Sequence, residues 1–449
     1  MPLTKAFGRF VADLSPNRLP QEAVPVAVLG FTDCVGTMIA GRNEPSTQIL
    51  KSVLAPPQGA ASLYFSGEKS PAPEAGWING TAAHALDYDD FEMGLRGHPS
   101  AVLVPAILAE GEVLDASGLD MITAYIAGYE VWAELAERDL PTYHEKGWHP
   151  TGILGAIAAA AACAKLRRLD AAKTAMALAL GASESAGIMA NFGTMTKPFH
   201  AGRAAHAGIM AARLAEAGFT SSLDALEHPQ GFLSAVSPAG GPDRTSEPRL
   251  GDDWAIIRRG LNIKPYPACG GTHRAIDSIL GLLAKHPVKP EEVREVCVHF
   301  GCLMSKVLRN HQPETGLAAK FSMEFAMASS LIAGRVGLSE LTDGFVRRTD
   351  VQDMMRRVSF DLTEESDPAN PGWPPWEQVR IALKSGERIE GPRVAAATGH
   401  PKNPLSESQF HDKFVDCLAF GGSAIPSEAL YGRLRAIGSL SARAVTAID

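Results

Sequence analysis

Apolar positions recur at helical spacing through most of the first 263 residues, which predicts helices over Val26–Ala40, Thr81–Leu86, Ala101–Val113, Met121–Ala136, Gly152–Leu166, Ala171–Met189 and Arg203–Ala217. Gly218 closes the last of these. The alanines and glycines of Gly152–Lys165 predict a helix approached closely on several sides, and therefore a central one. Near Lys264-Pro-Tyr-Pro267 the pattern changes. Arg294–Phe300, Arg357–Leu362 and Val379–Leu383 read as strands, and Ser385-Gly-Glu-Arg as the turn of a hairpin returning through Arg388–Ile389. Helical spacing at Thr272–Lys285 and Lys320–Ala333 alternates with them, and the proline-rich run Asp367–Pro375 reads as a surface loop. After Pro401 the pattern is helical again, at Glu407–Phe420 and Ser427–Ala436. The expected fold is two-domain: a large all-α domain (1–263), a smaller α+β domain (264–397), and C-terminal helices (398–449) returning to the first.

Composition narrows the function. The 449 residues are 45% hydrophobic and 20% charged, and the net charge of -8 carries no basic stripe or arginine-rich tail. Nucleic acid is therefore not expected as a partner. Any positive field for an anionic substrate must be local. Six cysteines form no Cys-x-x-Cys pair, which argues for a reducing, cytoplasmic setting and against a zinc ribbon or an iron–sulfur centre. The N-terminus lacks the apolar core of a signal peptide. Ile153–Ala164, taken as the most lipid-like run, is shorter than the ~20 residues of a membrane span, so no membrane is expected.

The densest chemistry lies in His84-Ala-Leu-Asp87-Tyr-Asp89-Asp90 and His98-Pro99-Ser100, at a junction between helices. The His-Pro-hydroxyl pattern recurs at His149-Pro150-Thr151. Proline suits the first helical position, and the helix N-terminus behind it attracts carboxylate while disfavouring imidazolium. A neutral histidine there can act as base or hydrogen-bond donor; the plainer alternative is that each histidine caps its helix. The aspartates with His84 and His98 could hold a divalent metal, or could equally cap helices. One of them, Asp87 first, could instead orient a histidine or take part in proton transfer. Lys197, before Pro198 and ahead of a helix opened by Gly202, is either a carboxylate partner or a surface lysine, and His273 after Cys-Gly-Gly-Thr272 is similarly open. Phosphate loops, G-x-S-x-G elbows and His-Glu-x-x-His motifs do not occur in the sequence.

These blocks resemble the MmgE/PrpD family, which contains 2-methylcitrate dehydratase, cis-aconitate decarboxylase and iminodisuccinate epimerase. The matching segments are Asn79–Asp90, His98-Pro-Ser, Gly147-Trp-His149-Pro-Thr, Lys197-Pro-Phe-His-Ala-Gly202, Lys264–Cys269 with His273, and Phe321-Ser-Met-Glu-Phe325. The resemblance implies acid–base chemistry at the carbon α to a carboxylate of a small anionic substrate. The outcome would be dehydration, decarboxylation or epimerisation; the cysteine spacing and the closely packed aspartates lead to the expectation of no metal and no cofactor. The resemblance implies Asp87, His98, His149, Lys197 and His273 as catalytic residues. Lys197, His149, Arg203, Lys264 and Phe91 are expected around the substrate. It also implies a homodimer with its site in a crevice between domains. One position departs from the pattern: Phe91 stands where dehydratase and decarboxylase members carry threonine. A preference for a smaller or less hydroxylated carboxylate is expected from it. A carboxylate-binding protein without activity would require a broken acid–base set, and all five positions are present.

Overall fold

The computed structural model describes residues 2–139, 143–368 and 373–448. By its internal contacts the chain divides into two units. The first comprises Met1–Ala190, Met195–Asn262 and Glu407–Asp449, and the second Asn191–Thr194 and Ile263–Ser406. The first is helical and the second is α+β.

Three helices of the helical unit place the chemistry. Pro150–Leu166 is its centre, with every residue but Lys165 buried. Such a helix must present small side chains, because its neighbours come within backbone range. A Cβ on Gly208 of the helix Thr196–Glu216 would fall 2.3 Å from the Cβ of Ala159. The same Thr196–Glu216 helix crosses Ala72–Ala85 at a pair of glycines. A Cβ on Gly202 would sit 2.1 Å from the Trp77 carbonyl oxygen, and one on Gly80 would sit 2.8 Å from the Gly202 Cα. Gly202 is therefore a mid-helix contact point and does not open the helix. The helix begins at Thr196, so Lys197 and Pro198 occupy its first turn, where proline is tolerated because that N–H has no intrahelical partner. Similarly, Ala171–Met189 is shortened to Ala171–Ser183, and the chain then reaches Lys197 through loop and a single 3-10 turn at Met189–Asn191.

Two other details differ from the sequence pattern. A two-residue ladder, Ala61–Ser62 with Lys69–Ser70, interrupts the helical unit. Among the described residues, the segment Ala23–Asn43, rather than Ile153–Ala164, is the one long and apolar enough to cross a membrane; 72% of its apolar window is buried inside the protein. All six cysteines are free thiols.

In the second unit the strands run Val293–Gly301, Val358–Thr363, Gln378–Leu383 and Arg388–Glu390. Val293–Gly301 pairs in parallel with Val358–Thr363 and antiparallel with Gln378–Leu383, which forms a hairpin with the fourth strand. Gly386, at φ +95°, makes that turn. The helix His273–Lys285 is tied to the sheet by Ser278, whose hydroxyl donates to the Pro392 carbonyl and accepts from the Val379 amide. Of the proline-rich run Asp367–Pro375, residues 369–372 lie outside the described residues. The C-terminal segment leaves this unit at Ser406, and the helices from Glu407 onward belong to the helical unit.

Candidate active site

The helix Ala72–Ala85 ends just before the acidic loop, and Asp87 follows with φ +51°. That left-handed conformation is uncommon outside glycine, although aspartate is among the residues that tolerate it. The turn separates the acidic side chains. Asp90 faces backward: it accepts from the Ser100 amide at 3.2 Å and from the Ser100 hydroxyl, which itself lies 2.7 Å from the Tyr125 hydroxyl. Asp90 thus anchors the start of Pro99–Leu114, and burial pushes its carboxyl well above the ordinary carboxylate range.

Asp87 and Asp89 face the other way. Lys197 Nζ donates to Asp87 Oδ1 and to His84 Nε2, each at 2.9 Å. The opposite ring nitrogen, His84 Nδ1, lies 2.9 Å from Asp89 Oδ2, and His98 Nδ1 stands 3.0 Å from the same oxygen. Burial holds the His84 ring down at about 3, with Asp89 opposing and Lys197 adding to the effect. Burial pushes the Asp89 carboxyl upward, but the two facing imidazoles outweigh it and hold it below its usual range. An ionised carboxylate only accepts hydrogen bonds, so the neutral His84 carries its proton on Nδ1 and offers its Nε2 lone pair to the lysine.

Both His98 and His149 occupy N-cap positions, of Pro99–Leu114 and Pro150–Leu166. Their rings are turned to other partners than their own first-turn amides. His149 Nδ1 lies 3.0 Å from His200 Nδ1, and its ring stacks on His84 with centroids 5.9 Å apart. The two helix starts are linked through Thr151, whose hydroxyl accepts from the His98 amide at 3.2 Å. Burial pushes His149 well down, with Lys197 second and His200 third. Lys197, Asp87, Asp89, His84, His149 and His200 are all buried. The His98 side chain, 13% exposed, is the open edge of the group. Phe91 borders it with ring centroids 6.3 Å apart, held by paired backbone bonds to Asn262.

Of the residues expected from sequence, the fold brings together Asp87, His98, His149 and Lys197, with Phe91 alongside. His98 Nε2 stands 3.7 Å from Asp87 Oδ1, at ion-pair distance. The carboxylate that orients histidines is Asp89. Arg203 is directed elsewhere, to Glu184 and across the Trp77 ring, because six residues from Lys197 on a helix is a different face. Lys264 and His273 belong to the second unit. Lys264 is fully buried, and His273 Nε2 lies 3.1 Å from the Ala268 carbonyl with its ring edge-on to Tyr266. Sequence reading passed over His200, which lies one helical turn beyond Lys197, and His144, held at about 4 by burial with Arg96 and Lys197 contributing.

His84, Asp87, Asp89 and His98 offer ligand atoms within 4.8 Å of one another, a donor set suited to a divalent cation. Two of the four are already served by the Lys197 ammonium, and both imidazoles direct a nitrogen at Asp89. The cationic charge in this cluster is thus supplied by the protein.

Residues 5–245 match the MmgE/PrpD N-terminal domain and residues 266–429 the MmgE/PrpD C-terminal domain. The chain belongs to the MmgE/PrpD family. Among its relatives, cis-aconitate decarboxylase of Mus musculus is 28% identical over 443 residues, covering 92% of this chain and 86% of the mouse protein. The Homo sapiens cis-aconitate decarboxylase is 27% identical, covering 77% and 72%, and that of Aspergillus terreus 25%, covering 81% and 79%. The two family matches and these relatives together cover most of the chain.

Proposed function

We propose that this protein is a cofactor-independent MmgE/PrpD lyase that decarboxylates a small di- or tricarboxylate at the carbon α to a carboxylate. One observation carries the reading: a buried ammonium, Lys197, is held between an aspartate and a neutral imidazole at the meeting point of two helix N-termini. Such a place favours bound carboxylate, through the ammonium and through the partial positive charge of the helix ends. In decarboxylation the C–C bond to the departing carboxylate breaks, its electron pair stays on the α carbon, and CO₂ leaves. The charge spreads into the remaining carboxylate as an enolate, which preorganised N–H donors stabilise. A proton then adds to that carbon from an N–H of the cluster, which water restores. The decarboxylase relatives favour this outcome over loss of a hydroxyl.

Phe91 supports a narrower substrate. A phenyl ring beside His98 offers no hydrogen bond, so a substrate that needs a hydroxyl partner there leaves a polar group unpaired. The test is a panel of di- and tricarboxylates incubated in D₂O and followed by NMR with CO₂ measured in parallel. CO₂ release with one deuterium placed on the product carbon is expected, and Lys197→Ala and His149→Ala each lower kcat/KM by ~10²-fold or more. Deuterium entering recovered substrate without CO₂ release would replace this reading with epimerisation. Water loss without CO₂ would replace it with dehydration.

A further inference from the structure

His149 and His200 meet edge to edge in a place built for the pair. Their Nδ1 atoms are 3.0 Å apart, and neither residue is more than 7% exposed. Gly187 serves both residues. Its carbonyl accepts the His149 backbone N–H at 3.1 Å, and its lack of a side chain leaves room for the second ring. A Cβ there would fall 3.1 Å from His200 Cγ and 3.2 Å from its Nδ1, and the backbone, at φ +133°, is one that other residues rarely adopt. His200 is fixed in turn by the helix it shares with Lys197.

Two facing nitrogens at this distance bond only if one of them carries a proton and the other a lone pair. Both rings are held neutral at ordinary pH, His149 well down and His200 at about 4, burial being the first cause in each. One proton therefore lies on the link, and the two rings must adopt opposite tautomers. If His149 holds that proton, its Nε2 is a bare base. If His200 holds it, His149 presents an Nε2–H donor.

We infer that His200 is a positioning residue, which sets the tautomer of His149 and so decides whether that ring meets the substrate as base or as donor. This rests on the reading of His149 as a proton-transfer group, but the tautomer itself is measurable without substrate. The experiment is ¹⁵N NMR of ring-labelled histidine in the substrate-free protein, comparing wild type, His200→Phe and His200→Asn. The phenyl ring keeps bulk without a hydrogen bond, while the carboxamide can restore one. Wild type should show single, opposite tautomers at the two rings. His200→Phe should leave His149 with mixed tautomers and lower kcat by ~10-fold or more at nearly constant KM, and His200→Asn should recover both. Equal tautomers in wild type, or a His149 spectrum unchanged in folded His200→Phe, would overturn the inference. Opposite tautomers in a protein that releases no CO₂ from any carboxylate would leave this inference standing and defeat the proposed reaction.

Discussion

Lys413 and Asp33, 380 positions apart in the chain, meet at 2.6 Å inside the helical unit. The same ammonium donates to the Tyr88 carbonyl at 2.9 Å and lies over the Tyr88 ring. A C-terminal helix thereby holds the acidic loop from behind, one residue from Asp87. Removing one partner of a buried pair typically costs ~3–5 kcal/mol, because the other charge is left without compensation. Lys413→Met should therefore lower the thermal midpoint by several degrees and reduce turnover, although the residue touches none of the site's imidazoles. Unchanged calorimetry would show that the loop holds itself.

Gly202→Ala tests the helix crossing that delivers Lys197. The added methyl meets the Trp77 carbonyl at 2.1 Å. Backbone cannot rotate aside as a side chain does, so overpacking of ~1–3 kcal/mol is expected. Activity should fall further than at Gly432, where a Cβ meets nothing within 4 Å. Equal effects at the two positions, measured by denaturant midpoint and kcat, would remove the crossing from the account.

Metal removal should leave the enzyme intact. Lys197 provides the cationic charge among His84, Asp87, Asp89 and His98, so activity should survive exhaustive EDTA, and elemental analysis should find no stoichiometric metal. Activity lost to EDTA and restored by one divalent cation would reassign the four ligands.

Acid should act on the fold through its histidines. The rings of His84, His144, His149 and His200 are held below their ordinary range, to about 3 for the first and about 4 for His144 and His200. Below about 6.5 the unfolded chain takes up protons on these rings and the folded one does not, so their contribution to stability is lost as pH falls toward 4. Glu130 and Glu377, raised by burial to about 7 and about 8, act oppositely and weaken the fold as pH rises through that range. Imidazole ¹⁵N shifts followed from neutral pH to pH ~5 should show these four rings untitrated. Any of them titrating near its ordinary value would remove it from the buried set.

The two-part architecture and most helices were legible because small and apolar residues keep helical spacing even where a helix is buried on all sides. The strands were legible because valine-rich runs alternate with clear turn residues. Boundaries near the site were less so. Pro198 reads as a stop in sequence, yet it sits in a first turn, and that shift concealed the common face of Lys197 and His200. Among the aspartates, spacing alone could not show that a left-handed turn at Asp87 sends Asp89 to the histidines and Asp90 to the Pro99–Leu114 helix. Arg203 lies close to Lys197 in sequence, but helical geometry turns it to another face, toward Glu184 and Trp77.

The helical unit is interrupted in sequence by the whole of the α+β unit, and this has a consequence for synthesis. At ~5–20 residues per second a ribosome makes the acidic loop and both helix N-termini well before it makes Lys413. Until then Asp33 has no ammonium facing it, and the loop lacks its rear support. The acidic loop is therefore made long before the helix Glu407–Gly421 that backs it, and Asp33 and the Tyr88 carbonyl gain their shared ammonium only once Lys413 has been added.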